Sequence, residues 1–445
     1  MKSTFSFCAS TKVKFFNILE RTIFYLILLF IPVQLGKHFW IQSSYIHGIR
    51  SDYLSPTLYA TDLLIGILII VWIYSKKNKF SILEVIRLNW LTAFFLISIL
   101  FFSVLFSKDK IIALYGLIKF FEFFFFGYFV SQNVKKENLK KIVSIFSISV
   151  IFVSIIAILQ YLNQASLGGF LYFLGERSFT SQTPGIANAS INGELLLRPY
   201  ATFPHPNVLA GYLTIALAMV ISTPIISGSN LKKYFYLISL IVGSIALVLT
   251  MSRIPILFWS IIVFFYFFLN FTKKKSSQML FFLLITVLGF FTFLLFSPAF
   301  LRFVSASIND DSVQTRLTLI NTSVLSIKDN PVFGVGLNNY LQTFNQYQKP
   351  TESVFMLQPV HNIFLLVAVQ TGLTGLIVFL LFIKKTYIRI RDQGSGIKNF
   401  KTTSLLILST TLILGFFDHY FLTLQQGQLL FSFIFGICWV NWNKR

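Results

Sequence analysis

Uninterrupted apolar runs recur along this chain, and a run of about 20 residues is long enough to cross a bilayer as one helix. In lipid every backbone polar group must be paired internally, so only helices and closed barrels span. A barrel needs short segments of alternating polarity, and none is evident. About twelve runs suit helical spans: 22–40, 60–75, 88–106, 111–131, 142–163, 207–226, 231–250, 255–271, 278–297, 361–383, 402–418 and 425–441. The expected fold is all-α, a polytopic transmembrane helical bundle forming a single integral membrane domain over 1–445. One long hydrophilic stretch, 298–360, interrupts it between the ninth and tenth spans. The first apolar segment lacks a clear small-residue cleavage site and reads as a retained helix rather than a signal peptide.

The formal net charge of +22 raises the question of nucleic acid, and the distribution of charge answers it. Basic residues cluster at Lys2, Lys12, Lys14 and Arg21, and then after every second span. The later clusters are Lys76, Lys77 and Lys79; Lys135, Lys136, Lys140 and Lys141; Lys232 and Lys233; Lys273 to Lys275; Lys384, Lys385, Arg389 and Arg391; and Lys444 with Arg445. This is the positive-inside pattern, with both termini cytoplasmic. Basic linkers also favour anionic headgroups. The expected partner is the lipid bilayer, not a nucleic acid. Cys8 and Cys438 are too few for a disulfide framework or a metal quartet.

With the basic loops on the inner side, the extracytoplasmic connections become 36–59, 107–110, 164–206, 251–254, 298–360 and 419–424. The distinctive polar residues gather there: Arg198, His205, Asn207, Ser252, Arg253, Arg302, Arg316, His361, Asn362, Asp418 and His419. Cations placed against the orientation rule carry a cost that function can justify. In the long loop, Ser312 is placed to cap a helix beginning near Val313. Val313, Leu317, Ile320, Val324 and Ile327 form an apolar stripe on it. Pro331 ends that helix, and Gly334 and Gly336 permit a tight turn. A second stripe follows at Leu337, Tyr340, Leu341, Phe344 and Tyr347. Two such helices lying along the membrane surface would cover a cavity among the spans.

Each polar residue also has a structural reading. Arg253 suits a snorkelling anchor at a helix end, and Arg316 an exposed charge on an amphipathic helix. His361 suits the start of the following span, and His205-Pro206-Asn207 a rigid helix start. Asp418 and His419 read as a helix end pairing with a nearby arginine. Lys119 and Glu122 read as a neutralising pair at i,i+3, with a proton relay as the other reading. Together, though, several arginines and a histidine at a membrane–water boundary fit one chemistry well. Arginine grips phosphate oxygens and stays charged, while histidine takes a proton from a hydroxyl near neutral pH. A lipid diphosphate needs such a site, and positioned cations can stabilise its departure without a metal. The scarcity of acidic clusters argues against a two-carboxylate magnesium site, and no cofactor is expected.

The ordered set resembles the O-antigen ligase/polymerase superfamily. It runs Arg198…Phe203-Pro204-His205-Pro206-Asn207, Thr250-Met251-Ser252-Arg253, Gln314-Thr315-Arg316, Asp329-Asn330-Pro331-Val332-Phe333-Gly334-Val335-Gly336, His361-Asn362, and Gly372-Leu373-Thr374-Gly375. It covers 198–380 firmly, with 298–360 as an extracytoplasmic helical loop. The resemblance implies a GT-C-like scaffold in the bacterial inner membrane, active at the extracytoplasmic face. It implies transfer of a glycan from undecaprenyl diphosphate to an acceptor hydroxyl on a glycan, lipid or protein, without a metal. Ligases and polymerases of the family share that donor chemistry. Carried over, Arg253 and Arg316 hold the diphosphate and His361 is the general base. Arg198, His205 and Asn207 match a recurrent motif that shapes the glycan or lipid entrance. A single displacement predicts an inverting enzyme. The rival reading is a transporter or flippase of lipid-linked sugars, whose arginines bind without reacting.

Overall fold

A computed structural model of the chain describes residues 2–75, 90–191, 193–222, 230–271, 290–291, 293–295, 297–304, 311–344, 346–347, 357–393 and 398–442. The expected span at 278–297 lies mostly outside them. So do the basic clusters at 76–79, 273–275 and 444–445. The described residues are mostly helical. The long helices are α1 (Lys2–Leu29), α2 (Ala60–Ser75), α3 (Trp90–Leu105), α4 (Lys110–Asn133), α5 (Leu139–Asn163), α6 (Pro206–Ser222), α7 (Asn230–Leu249) and α8 (Arg253–Phe271). A short α9 (Pro298–Val304), α10 (Asp311–Asp329) and a short α11 (Tyr340–Phe344) lie in the polar stretch. They are followed by α12 (Ile363–Arg391), α13 (Lys398–Phe417), the single turn α14 (Tyr420–Thr423) and α15 (Gln425–Trp439).

Among the described residues, five helical segments are long and apolar enough to cross a membrane: 110–133, 136–163, 231–249, 363–391 and 400–417. The apolar helices at 60–75, 95–105, 206–222 and 253–266 are shorter. Five of the twelve expected runs thus lie on such helices among the described residues. At 1.5 Å per residue, the 16 residues of α2 reach about 24 Å and the 15 of α15 about 22 Å. Both fall short of a hydrocarbon core of about 30 Å. The first expected span, 22–40, also ends early. Helix α1 stops at Leu29, and the chain enters β1 (Gly36–His38), which pairs with β4 (Thr57–Tyr59). Within that hairpin sits a smaller one, β2 (Tyr45–Ile46) with β3 (Ile49–Arg50). A third, β5 (Asn188–Ile191) with β6 (Glu194–Leu197), precedes α6.

Helix α6 is the axis of the bundle, contacted by α5, α7, α8 and α13. Leu209, Ala210, Leu213, Ala216, Leu217 and Ala218 are all buried. Small side chains let neighbouring helices approach closely, the main packing device where lipid is the solvent. At its start Gly211 packs on Tyr420, where a Cβ would overlap the phenol oxygen. This holds the end of α13 against the start of α6. A buried ionic cluster ties three further helices. Lys119 on α4 reaches Asp62 of α2 at 2.5 Å, Glu122 at 3.1 Å and Gln425 of α15 at 3.2 Å. The i,i+3 pair is present, and Asp62 is the member that sequence spacing alone left out.

Helix α12 is broken at Gly372, whose φ of 73° and ψ of 180° are not helical. The turn after α10 fits into that break. The Val335 and Gly336 N–H groups donate to the Val369 and Gln370 carbonyls at 2.8 and 3.0 Å. The Leu373 N–H, freed by the break, donates to the Pro331 carbonyl at 2.8 Å. Ser103 of α3 adds a hydroxyl to the Gln370 carbonyl at 3.0 Å. A break at membrane depth is tolerated where protein re-satisfies the backbone, and the turn does so here. Gly334 and Gly336 are both left-handed, and a Cβ on Gly334 would meet the Val369 carbonyl oxygen at 2.4 Å.

The polar stretch departs from its sequence reading in two ways. Helix α10 already includes Asp311 and Ser312, so Ser312 lies inside the first turn instead of before it. The apolar stripe faces outward, as suits a helix along the membrane surface: Leu317, Ile320 and Val324 are exposed, while Leu319, Thr322, Ser323 and Ser326 are buried. The reason is close packing. Small hydroxyl side chains line the inner face, and Ser323 bonds the Tyr340 hydroxyl at 3.0 Å. The second stripe is helical only over α11, because Asn338 takes a left-handed φ of 56°. Residues 305–310, 345 and 348–356 lie outside the described residues.

Candidate active site

Five helix ends meet at one end of the bundle. The α7–α8 turn comes first. Helix α7 ends at Leu249, Met251 is left-handed with φ 52°, and α8 begins at Arg253. Pro255 falls in the first turn, where its missing N–H has no partner to lose. The Arg253 Nε donates to the Arg302 carbonyl at 3.0 Å, and Arg302 Nη1 donates back to the Met251 carbonyl at 2.6 Å. Helix α9 thereby pins the turn that carries Arg253.

His361 stands just before α12. Asn362 is the N-cap, its side-chain oxygen accepting from the Phe364 and Leu365 N–H groups. Its amide nitrogen donates to the Phe416 carbonyl at the end of α13. That bond brings His361 beside Asp418, with Nδ1 to Oδ1 at 3.3 Å. The same Oδ1 accepts from the His419 N–H at 2.8 Å, and Oδ2 accepts from Asn207 Nδ2 at 3.3 Å. The His361 and His419 rings lie 5.0 Å apart, and His419 Nδ1 bonds the Thr423 hydroxyl at 2.7 Å. The ligand atoms of His361, Asp418 and His419 fall within 4.8 Å of one another, close enough in principle to hold a cation. In this structure Asp418 bonds the His361 ring and the His419 backbone N–H, and the His419 ring bonds Thr423.

Arg316 approaches this group from α10. Leu319, one turn later on the same helix, is buried with Val360, Leu366 and Val369, which carries Arg316 toward the start of α12. Its charge acts on both Asp418 and His419. Burial alone would raise the Asp418 carboxyl. His361, His419 and Arg316 outweigh burial and hold it well below the usual carboxylate range. Burial, reinforced by His361 and Arg316 against the pull of Asp418, lowers His419 to about 3 and keeps it neutral.

The Arg198 motif forms the back wall. Arg198 is only 5% exposed. It donates from Nε to the Thr250 carbonyl at 2.8 Å, and from Nη2 to Asn207 Oδ1 at 2.7 Å and the Ser252 hydroxyl at 3.2 Å. Burial, then Arg302, Arg253 and Arg316, push it down to about 9, which leaves it charged at neutral pH. Those shifts also show the four arginines clustering. His205 Nδ1 accepts the Asn207 N–H at 3.1 Å, and burial followed by Arg198 lowers it to about 3.

All six residues singled out in the sequence thus gather at one end of the bundle, in two layers. His361, with Asp418 and Arg316 beside it, marks one, and Arg253 joins the group through its charge on Arg198. Arg198, His205 and Asn207 stand behind, and Arg198 and Asn207 bond protein groups. Sequence reading undervalued Asp418, expected to pair with an arginine. Its carboxylate bonds His361 and Asn207. Its position directly after a long apolar run, level with His361, was the available signal. A polar cavity of about 40 Å³ lies beyond His419, bordered by Tyr53, Thr423, Lys119 and Gln425. That volume has room for a few waters.

A helical membrane protein with arginines, a histidine and a carboxylate gathered where its helices end has the groups to bind an anion and to move a proton. Residues 238–380 match the family model of the O-antigen ligase. The match places an O-antigen ligase domain there and supports the chain as a membrane protein of the O-antigen ligase/polymerase superfamily. Such a domain implies a glycosyltransferase-like enzyme of polysaccharide assembly working in a bilayer. The matched segment contains Arg253, Arg316 and His361, while Arg198, His205 and Asn207 precede it and Asp418 follows. No curated protein matches the chain.

Proposed function

We propose that this protein transfers a glycan from undecaprenyl diphosphate to an acceptor hydroxyl at the extracytoplasmic face of a bacterial inner membrane. The observation that carries the proposal is His361, inside the matched domain, backed by the Asp418 carboxylate that follows it, on which the charge of Arg316 acts. Asp418, ionised and so an acceptor only, faces His361 Nδ1. That nitrogen then carries the hydrogen, and Nε2 is left as the base. His361 Nε2 takes the acceptor hydroxyl proton, and the oxygen attacks the anomeric carbon. The bond from that carbon to the diphosphate oxygen breaks, and its electron pair leaves with undecaprenyl diphosphate. Arg253 and Arg316 neutralise the departing charge. No metal is needed in this scheme, and one displacement inverts the sugar carbon.

Full-length protein in liposomes, given an undecaprenyl-diphosphate glycan and a hydroxylated acceptor, should release undecaprenyl diphosphate and extend the acceptor. Movement of the donor across the bilayer without release would instead identify a flippase. The ligase and polymerase forms are separated by the acceptor used, a finished lipid or protein in one case and another repeat unit in the other.

A further inference from the structure

We propose that Arg198 and Asn207 are positioning residues for His361, fixing the polarity of a hydrogen-bond line that ends with Nε2 of that imidazole free to accept a proton. The inference rests on His361 as the base and adds two residues that act on it through Asp418.

A guanidinium has donors only, so the Asn207 group facing Arg198 Nη2 at 2.7 Å has to be the amide oxygen. The Ser252 hydroxyl donates to the same oxygen at 2.6 Å. The Asn207 NH2 is therefore turned the other way, onto Asp418 Oδ2 at 3.3 Å. That places both Asp418 oxygens: Oδ2 accepts from Asn207, and Oδ1 accepts from the His419 N–H and faces His361 Nδ1. An amide is ambiguous by itself, since oxygen and nitrogen exchange on a half-turn. Arg198 removes the ambiguity. Its own direction is set by the Thr250 carbonyl at the end of α7, so the line is anchored in the bundle and not in a loop.

Among the described residues, few charged or titratable groups surround His361. Asp418, His419 and His205 interact with it directly, and Arg316 acts on Asp418 and His419. Losing the Asn207 donor leaves Asp418 with more undivided charge to offer His361, which favours the protonated ring and disables the base.

The test compares Asn207→Asp, Arg198→Gln and Arg198→Lys with the wild type in liposomes, measuring transfer from an undecaprenyl-diphosphate glycan between pH 5.5 and 8.5. Asn207→Asp should move the acid limb of kcat upward by about one pH unit, a tenfold loss on that limb, with donor KM within about twofold. Arg198→Gln, which can present either an acceptor or a donor, should move it the same way. Arg198→Lys, again donor-only, should restore the limb toward wild type. An unmoved limb combined with a raised donor KM in Arg198→Gln would overturn the proposal and make Arg198 a diphosphate ligand. A second readout needs no donor: carbethoxylation of His361 by diethyl pyrocarbonate, followed by mass spectrometry near pH 6.5. Asn207→Asp and Arg198→Gln should slow it several-fold, and equal rates would refute the positioning role. If the wild type releases no undecaprenyl diphosphate, the transfer reading fails, and the modification rates still decide this one.

Discussion

Replacing Gly372 by alanine probes the join between the polar stretch and α12. Two costs add there. The backbone at φ 73° and ψ 180° is a region almost confined to glycine, costing about 1–3 kcal/mol for another residue. The new Cβ would also lie 2.1 Å from the Val332 oxygen. Reaching even a tight contact means moving the turn by about 1 Å, which breaks or stretches three backbone hydrogen bonds between 331–336 and 369–373. At about 1 kcal/mol each, the total is about 4–6 kcal/mol. Two other glycines separate the contributions. Gly48→Ala has a φ of 81° and open space, so it should show the left-handed strain alone, about 1–2 kcal/mol. Gly66→Ala, helical and uncrowded, should be neutral or stabilising by about 1 kcal/mol. The assay is thermal unfolding of the detergent-solubilised full chain, with trypsin cleavage after Arg316 and Lys328 reporting release of α10. If Gly372→Ala matched Gly48→Ala in stability and cleavage, the join would not be the constraint described.

His361→Ala should abolish transfer while binding of the undecaprenyl-diphosphate donor persists, measured by co-purification of labelled donor; continued transfer would remove His361 as the base. The product linkage, read by NMR, should be inverted relative to the donor, and retention would exclude a single displacement. EDTA dialysis should leave the transfer rate unchanged. Loss of activity restored by a divalent ion would make His361, Asp418 and His419 metal ligands. Stability should fall with acid below about pH 6.5: buried His419 stays neutral when folded and gains a proton when unfolded. The unfolded state therefore binds more protons, and stability rises with pH between its lowered value of about 3 and 6.5. By pH 5.5 His419 accounts for about 1.4 kcal/mol of the loss; buried His205, also lowered to about 3, adds a like share, so His419→Gln should remove about half of the dependence.

Much of this architecture was legible because lipid makes sequence blunt. Apolar runs located most helices, and charge placed the polar motifs together, so Arg253, Arg316 and His361 were found as a group. Boundaries were less visible. Pro32 and the strand at Gly36 shorten the first run, yet its hydropathy continues past them. The stripe on α10 was legible as a period, but periodicity does not say which side meets protein and which meets lipid. Asp418 could not be assigned a partner because its neighbours lie 57 and 211 residues away. The two glycine motifs, at 334–336 and 372–375, looked like separate turns. They are the two halves of one contact.

A chain with 54 phenylalanines faces a sorting problem when it folds in a membrane. To a greasy helix, lipid and a neighbouring greasy helix are nearly equivalent surroundings, so apolar contact says little about which span belongs beside which. The cluster of Lys119, Asp62, Glu122 and Gln425 speaks a different language. Left in hydrocarbon, Lys119 or Asp62 alone is heavily penalised, and only one pairing of α2, α4 and α15 brings them together. The three helices are far apart in the chain, and α15 is its final described helix. The cluster thus acts as an identity check, completed only when the last helix arrives. A charge-neutral replacement of all of its ionic members would remove that check even where the finished bundle kept its stability.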